Sequence, residues 1–583
     1  MAENWAADIN GDEGEDEALR IAIALSLGQD PTSASIDLTQ DEPTPEKTPE
    51  PARNEVLASA PAPMSSLSAL GLDRKKMEEE RLARANKRKA AELDSTAAET
   101  VRPQQRQKMS EHVPERQTAI RGGLITTSEP STAPLLPFPK GVVRKTWVYG
   151  QPRLGDDIKI EEVLQKDKLE IAVLSSFQWD EQWMLSKIDI DRTKMYLVAF
   201  ANNEAQKEEI RNNVPQNRIR FCFPKMSGPG SMHSKLQLLK YSNYLRIAVP
   251  TGNLIPYDWG ETGVMENMVF IIDLPIFETD EQRKAQKLTL FAEDLFYFLS
   301  AQGLDEKLIS SLQKYDFSET SRYGFVHSIA GSHSSEESWR RTGYCGLGRA
   351  VSALGLASER EIELDIVTAS IGAVTYDLLR GLYFACQGDS GLKEYQLRTA
   401  GRKGKSISGG CNDTEMLDKH IRVYFPSLQT VKESRRGKDG AGTICFTSKW
   451  WSAESFPRKI LWDCQSTRMG VLMHSKLMFI RQSGSGSGRN KNFAYVGSAN
   501  LSESAWGRLV KERGTGNPKL TCRNWECGVV MEAPSRPKKA ASNDSSTSSV
   551  EDMGVFAGQV PLPMKIPSTP LDQDRTPWFY MDG

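Results

Sequence analysis

The 583-residue chain lacks the features that define several classes of protein. It contains no run of about 18 apolar residues, so no membrane-spanning helix is expected. The first residues, Met-Ala-Glu-Asn-Trp, lack the basic and apolar segments of a secretion signal. Cysteine is scarce as well: the eight cysteines include no CxxC pair. A disulfide framework and a cysteine-based zinc site are therefore not expected, and reduced thiols in a cytosolic or nuclear protein fit better.

Aromatic residues are almost missing from residues 1–137, where Trp5 is the only one. This segment is rich in Pro, Ser, Thr, Ala and Glu, and it cannot bury enough apolar surface to become ordered. Its first 50 residues hold 13 acidic and two basic residues, so their net charge is −11. Because the net charge of the whole chain is −2, the remaining residues carry a net charge of +9. We therefore predict a disordered acidic tail over 1–137 and a mildly basic folded body of two domains, 138–330 and 331–583.

Histidine is also rare, with six residues in the chain, yet two of them lie in a repeated pentapeptide. Met-His-Ser-Lys-Leu occurs at 232–236 and again at 473–477. Each copy is followed by an Asn-Leu pair, at Asn253 and Asn500, and each Asn by Trp-Gly six positions later. Two copies of one extended pattern indicate a duplicated domain.

Strand and helix signals alternate through the body, which predicts an α/β fold. β-Branched and aromatic runs predict strands over 169–177, 194–200 and 218–223. An apolar stripe at helical spacing, followed by glycine, predicts one helix over 281–302.

Each repeat reads as an antiparallel hairpin. The first predicts strands 235–241 and 244–249, and the second predicts strands 476–482 and 493–497. His and Lys, two residues apart, then share one face beside the Asn. Such a face fits a phosphate, and two faces related by a pseudo-twofold axis would place two histidines on opposite sides of one phosphorus.

This pattern resembles the phospholipase D superfamily, whose motif is HxKxxxxD. The Asp position holds Lys240 in the first copy and Arg481 in the second. His-Lys-Asn sets without that Asp resemble the tyrosyl-DNA phosphodiesterase 1 family. Other similar stretches are Tyr424-Phe425-Pro426-Ser427, Lys449-Trp450-Trp451, Gly497-Ser498-Ala499-Asn500-Leu501-Ser502 and Pro577-Trp578. The resemblance covers roughly 138–578 and implies a duplicated phospholipase D-like fold, with two mixed-sheet α-β-α domains related by a pseudo-twofold axis.

The resemblance also implies the roles of the repeated residues. His233 would be the nucleophile and His474 the general acid and base. The groups that would hold the non-bridging oxygens are Lys235, Lys476, Asn253 and Asn500. Glu526 matches the second-half glutamate of the family, and Glu266 is the first-half candidate by position; both would orient the imidazoles. The candidates for DNA binding are Ser370, Thr368 and Ser502.

The function implied is DNA repair in the nucleus. The enzyme would hydrolyse 3′-phosphotyrosyl and other 3′-blocked ends of single-stranded or nicked DNA, including topoisomerase I adducts that carry a tyrosyl peptide. A covalent phosphohistidine would form and a 3′-phosphate would remain. No metal and no cofactor is implied, and a monomer without membrane contact is expected.

Short motifs interrupt the acidic tail. Leu19, Ala22, Ile23 and Ser26, within residues 15–30, share one helix face and resemble a ubiquitin-interacting motif. Residues 36–42 resemble a SUMO-interacting motif, and the basic cluster Lys87-Arg88-Lys89 is typical of a nuclear import signal. A disordered acidic tail explains the first two matches equally well, and a plain charged helix explains the basic cluster equally well.

Two other functions are compatible with part of the sequence. One is a phospholipase D-like lipid phosphodiesterase, against which stand Lys240, Arg481 and the lack of a membrane-binding helix. The other is a non-catalytic ubiquitin- or SUMO-binding DNA adaptor. Two intact His-x-Lys…Asn sets argue against the adaptor, because a protein without catalysis need not keep either.

Overall fold

The computed structural model describes residues 136–226, 228, 230–401, 410–482, 491–533, 551–572 and 574–580. The motifs predicted at 15–30 and 36–42, and the basic cluster at 87–89, lie outside these residues. No helix within the described ranges is long and apolar enough to cross a membrane.

Strands form two large sheets and two small ones. In chain order the strands of the described residues are β1 (Val142–Thr146), β2 (Asp157–Ile158), β3 (Ile171–Ser175), β4 (Lys194–Val198), β5 (Ile219–Cys222), β6 (Gln237–Lys240), β7 (Tyr244–Pro250), β8 (Met265–Glu266), β9 (Met268–Pro275), β10 (Tyr323–Ser328), β11 (Gly331–His333), β12 (Ile362–Val367), β13 (Ile421–Phe425), β14 (Leu461–Asp463), β15 (Leu472–Met473), β16 (Leu477–Gln482), β17 (Phe493–Gly497), β18 (Arg508–Lys511), β19 (Pro518–Cys522) and β20 (Glu526–Glu532).

Helices connect the strands. The α-helices of the described residues are α1 (Ile160–Leu164), α2 (Glu181–Ser186), α3 (Glu204–Asn212), α4 (Asp280–Ala285), α5 (Leu290–Ala301), α6 (Glu306–Ser311), α7 (Glu336–Arg341), α8 (Gly343–Ala353), α9 (Tyr376–Cys386), α10 (Leu392–Gly401), α11 (Gly410–His420), α12 (Leu428–Lys432), α13 (Ser448–Ser452) and α14 (Glu503–Trp506).

The two large sheets contain the same six-strand unit. The first sheet includes the order β9-β7-β6-β3-β4-β5, and the second includes β20-β17-β16-β12-β13-β14. In each unit the last three strands run parallel, and the other neighbours pair antiparallel. The predicted α/β class and the predicted duplication are therefore confirmed.

The strand pairing also locates the start of the second unit. β1 pairs antiparallel with β9 in the first sheet, and β10 pairs antiparallel with β20 in the second. β10 is thus the counterpart of β1, and it belongs to the second sheet although it precedes residue 330. Strand pairing places the division before Tyr323, whereas the sequence placed it between residues 330 and 331.

The hairpins that carry the repeated motif form as predicted. β6 and β7 pair through Lys240 opposite Leu245, and β16 and β17 pair through Ile480 opposite Phe493. The Ser/Gly stretch 483–490, at the tip of the second hairpin, lies outside the described residues. The other predicted strands form as β3, β4 and β5.

A shared apolar core joins the halves. Leu238, Ile247 and Phe270 from the first sheet belong to the same buried cluster as Phe479 and Val496 from the second. Alternate residues on the same strands face the opposite way into separate outer clusters. Both faces of each sheet are therefore covered, which explains why these strands are apolar almost throughout. Because the halves share one core, groups at the ends of both hairpins are held at fixed positions.

The single helix predicted over 281–302 is wrong, because two helices, α4 and α5, occupy this range. Between them Gln286 is extended, and its side chain donates to Tyr315 O (3.3 Å) and accepts from Phe317 N (2.8 Å). Thr289 is extended too, and its hydroxyl accepts from the backbone of Ala292 at the start of α5. These contacts compete with the helical hydrogen bonds and break the helix between α4 and α5, although the apolar stripe continues through the range.

Candidate active site

Each repeated histidine is fixed by the opposite half of the molecule. The backbone N–H of His233 donates to Trp525 O (3.0 Å), and Trp525 N–H donates to Ser231 O (2.9 Å). In the second half, His474 N–H donates to Glu266 O (3.1 Å) within the pairing of β15 with β8. The two motifs therefore meet at the seam between the sheets, as the duplication predicted.

Glu526 binds the imidazole of His233. Its Oε2 lies 2.9 Å from His233 Nδ1, while Asn524 Nδ2 donates to its other oxygen (3.1 Å) and Ser498 donates to Oε2. Because an ionised carboxylate only accepts, Nδ1 carries the proton and Nε2 keeps its lone pair. Lys235 Nζ lies 3.2 Å from that Nε2. The ring is thus held by Glu526 with Nε2 toward Lys235, and the roles of His233 and Glu526 in catalysis stay predictions.

Asp258 makes the equivalent contact with the other histidine. Its Oδ2 lies 3.1 Å from His474 Nδ1 and accepts from the backbone of Asn253 (2.6 Å). The carboxylates are therefore crossed: Asp258 of the first half binds the histidine of the second half, and Glu526 of the second half binds the histidine of the first half. Sequence reasoning missed this role of Asp258, because the second copy has Ala505 at the matching position before its tryptophan.

The prediction that Glu266 orients a catalytic histidine is wrong in this geometry. The carboxylate of Glu266 accepts from Ser466 and, at 2.8 Å, from Arg468. The backbone N–H of His474 donates to Glu266 O, just as that of His233 donates to Trp525 O. Glu266 is therefore the counterpart of Trp525, which precedes Glu526 by one residue. A step of one residue along a strand turns the side chain to the other face, which explains the different partner.

Both repeated lysines are fully buried beside the histidines. Lys235 donates to His233 O (2.9 Å), and Lys476 donates to Thr251 O (3.2 Å) and to His474 O (2.5 Å). Burial lowers the pKa of Lys235 to about 8, although Glu526 and Asp258 oppose it. Burial, and then the charge of Lys235, lower the pKa of Lys476 well below its ordinary value. Each lysine would hold its proton more firmly if an anion lay between them.

The histidines show the same dependence on burial. Burial lowers the pKa of His233 to about 4 against the opposing charge of Glu526, and it lowers that of His474 to about 4 against Asp258. Burial opposes ionisation of Asp258 too, but His474, which is charged only when acid protonates it, and Lys476 outweigh burial and lower the pKa of Asp258. Both imidazoles are therefore neutral in the free protein near pH 7.

The repeated asparagines lie beside these groups. Asn500 Oδ1 accepts from Thr368 Oγ1 (3.2 Å) and from Ser370 N–H (3.1 Å), so its NH₂ group is turned away from them. Asn253 is buried, whereas Asn500 is only partly buried, and the backbone N–H of Asn253 donates to Asp258. The predicted set of two histidines, two lysines and two asparagines is thus brought together.

The residues predicted to bind DNA have protein partners in this structure. Thr368 and Ser370 hold Asn500, as described above. Ser502 caps α14 by accepting from Ala505 N–H (3.2 Å). Their contact with DNA stays a prediction. One neighbour was not predicted: the ring of Phe177 packs against His233 with centroids 5.3 Å apart.

The basic residues at the Asp position of the phospholipase D motif form ion pairs of their own. Lys240 Nζ lies 2.6 Å from Glu170, and Arg481 lies 2.6 Å from Asp365. Among the residues that the structure describes, no three His, Cys, Asp or Glu side chains are grouped so as to hold a metal ion. The basic side chains buried beside the two histidines are Lys235 and Lys476.

Comparisons with known proteins give one consistent assignment. The family described as Tyrosyl-DNA phosphodiesterase matches residues 142–572. Tyrosyl-DNA phosphodiesterase 1 of Arabidopsis thaliana is 21% identical over 479 residues, which are 73% of this chain and 71% of that protein. A probable tyrosyl-DNA phosphodiesterase of Caenorhabditis elegans is 22% identical over 323 residues, 53% of this chain and 63% of that protein.

Solved structures show the same fold. The yeast tyrosyl-DNA phosphodiesterase superposes with a TM-score of 0.52 at 17% identity, covering 75% of this chain and 100% of that chain. A mutant of the yeast enzyme gives a TM-score of 0.53 at 18% identity, with the same coverage. The fold is thus the duplicated, phospholipase D-like α/β fold that the sequence predicted. With its family match across most of the body, the chain belongs to the tyrosyl-DNA phosphodiesterase family, whose members are phosphodiester hydrolases.

Proposed function

We propose that this protein hydrolyses 3′-phosphotyrosyl and other 3′-blocked DNA ends, such as topoisomerase I adducts, and leaves a 3′-phosphate. The observation that carries the proposal is the crossed pairing of Glu526 with His233 and of Asp258 with His474 around two buried lysines. Two oriented imidazoles with lysines between them suit in-line displacement at one phosphorus.

In the first step, Nε2 of His233 attacks the phosphorus. A P–N bond forms while the P–O bond to tyrosine breaks, and Nε2 of His474 gives its proton to the departing phenolate oxygen. Lys235, Lys476 and the two asparagines hold the non-bridging oxygens. Glu526 stabilises the positive charge that His233 gains on becoming a phosphohistidine.

In the second step, His474 acts as the base. It takes a proton from a water molecule, the water oxygen bonds to phosphorus, and the P–N bond breaks, so that His233 is regenerated. The product is a free 3′-phosphate, and His474 again carries the proton that the next cycle needs. Asp258 stabilises this imidazolium through Nδ1.

Charge balance explains how His474 becomes an acid despite its low pKa. In the free protein the imidazoles are neutral, and burial lowers the pKa of both lysines. A bound phosphodiester adds one negative charge to this buried site, and that charge raises the pKa of His474. Substrate binding should therefore take up a proton.

Turnover in EDTA tests the proposal. We expect a 3′-phosphotyrosyl oligonucleotide to be converted to the 3′-phosphate without added metal, since lysines supply the positive charge. Turnover that needs a metal ion, or a product other than a 3′-phosphate, would contradict the mechanism. Absence of turnover in every condition would contradict the proposed activity.

The lipid phosphodiesterase and the DNA adaptor are less well supported. The lipid phosphodiesterase motif has an Asp where this chain has Lys240 and Arg481. These two residues form ion pairs with Glu170 and Asp365, so neither copy has the carboxylate of that motif. The histidines are oriented by crossed carboxylates, an arrangement that binding alone does not require. Nuclear localisation and ubiquitin or SUMO binding stay predictions from residues outside the described ranges.

A further inference from the structure

The duplication extends beyond the repeated motif to the segments that follow β3 and β12. After β12, Thr368 Oγ1 donates to Ser370 O (2.8 Å) and accepts from Leu501 N–H (3.2 Å). After β3, Ser176 Oγ donates to the carbonyl of Gln178 (2.6 Å), and Leu254 N–H donates to Ser176 (2.9 Å). In both halves a hydroxyl thus ties this segment to the residue that follows the repeated asparagine.

Two further contacts match. The N–H of Ser370 donates to Asn500 Oδ1 (3.1 Å), and the N–H of Gln178 donates to Asn253 Oδ1 (3.4 Å). The next residue of each segment forms a parallel bridge to the residue after the asparagine, Ile371 to Leu501 and Trp179 to Leu254. Gln178 is therefore the structural counterpart of Ser370, although no shared motif relates their sequences.

The halves differ in how the asparagine amide is fixed. Asn500 Oδ1 also lies 3.2 Å from Thr368 Oγ1, whose single proton is shared between this oxygen and the closer Ser370 O. Asn253 instead donates from Nδ2 to Gln178 Oε1 (3.4 Å). One hydrogen of the Asn253 NH₂ group is thus directed to Gln178. Because the amide is planar, this bond also fixes the direction of the remaining hydrogen.

We infer that Gln178 is a positioning residue of the reaction, which aims the free N–H of Asn253 at a non-bridging phosphate oxygen. The inference rests on the proposed function and adds to it a residue that acts only through Asn253. Gln178 is half-buried shortly after β3 and follows Phe177 in the chain, whose ring packs against His233. Contacts at 3.4 Å in the free protein would shorten when phosphate binds.

Gln178→Met tests this role, since methionine keeps the length and the backbone N–H but lacks the acceptor. We expect kcat on a 3′-phosphotyrosyl oligonucleotide to fall about fivefold, which corresponds to about 1 kcal/mol and to one neutral hydrogen bond. KM should change little, because the aimed N–H matters most in the transition state. Gln216→Met, at an exposed glutamine, is the matched control and should leave kcat unchanged.

A double-mutant cycle separates positioning from a structural role. In an Asn253→Ala background, Gln178→Met should cause no further loss, because the group it aims is gone. A repeated fivefold loss in that background, or an unchanged kcat in the single variant, would overturn the inference. Wild-type enzyme in the same assay distinguishes a failure of the Gln178 inference from a failure of the proposed function. If the wild-type enzyme does not hydrolyse the substrate, the proposed function itself is refuted.

Discussion

Replacing Asp258 by asparagine should separate the two chemical steps. The carboxylate lies 3.1 Å from Nδ1 of His474 and is fully buried, whereas asparagine keeps the shape and removes the charge. Opposite charges centred about 4 Å apart interact by about 4 kcal/mol at an effective dielectric constant of about 20. Loss of that stabilisation of the imidazolium should slow proton donation about a thousandfold.

Two leaving groups reveal which step is affected. Tyrosine leaves as a basic phenolate that needs the proton of His474, whereas 4-nitrophenolate leaves without one. In rapid-quench single turnovers, Asp258→Asn should cleave the 3′-phosphotyrosyl oligonucleotide about a thousandfold more slowly than wild type. The loss of 4-nitrophenol release from the matching ester should be far smaller. A covalent DNA adduct should then accumulate, because water attack also needs His474 as a base.

Glu526→Gln is the matched control, because it removes the equivalent charge from His233. This variant should slow both leaving groups to a similar extent and accumulate no adduct, since formation of the P–N bond itself is impaired. If Asp258→Asn slowed both substrates equally, the assignment of His474 as the general acid would be refuted.

Other predictions concern protons and stability. Calorimetry at pH 7 in buffers of different ionisation enthalpy should show proton uptake when a non-hydrolysable 3′-phosphonate ester binds, and affinity should weaken as pH rises; His474→Gln should abolish most of the uptake. Because the pKa values of His233 and His474 lie near 4, against 6.5 for ordinary histidine, the unfolded chain binds protons first on acidification. Their contribution to the free energy of unfolding should fall between about pH 6.5 and about pH 4, and a double His→Gln variant should show a shallower decline in urea titrations. Arg468→Met leaves the Glu266 carboxylate buried without its cation and should lower the unfolding free energy by about 3–5 kcal/mol in urea, a loss that Glu266→Gln in the same chain should partly reverse.

The repeated pentapeptide made the main site residues predictable, because short antiparallel hairpins fix which residues share a face. His, Lys and Asn therefore follow from spacing alone, and β6, β7, β16 and β17 form where alternation placed them. β3, β4 and β5, at one edge of the first sheet, were equally clear from their β-branched and aromatic runs, whereas their counterparts β12, β13 and β14 were not predicted. In these segments local preference and tertiary pairing favour the same structure.

The resemblance supplied Glu526, but the role of Asp258 and the crossing of the two carboxylates could not be predicted in the same way. Asp258 lies 216 residues from His474 along the chain, and Glu526 lies 293 residues from His233. Their pairing depends on how two sheets pack, which no local pattern records. Glu266 was misassigned for a similar reason, since a one-residue difference in strand register changes the face of the side chain. Gln286 broke the predicted helix through contacts with Tyr315 and Phe317, which lie 29 and 31 residues further along the chain and outside the helical pattern.

Peptide mapping of the covalent intermediate tests the central claim most directly. The His474→Ala variant should be incubated in EDTA with a 3′-(4-nitrophenyl) phosphodiester oligonucleotide, whose leaving group needs no acid, and then digested. The account predicts a nucleotide joined through phosphorus to His233, with no adduct in the His233→Ala variant. A nucleotide on any other residue, or nitrophenol release without any adduct, would contradict it.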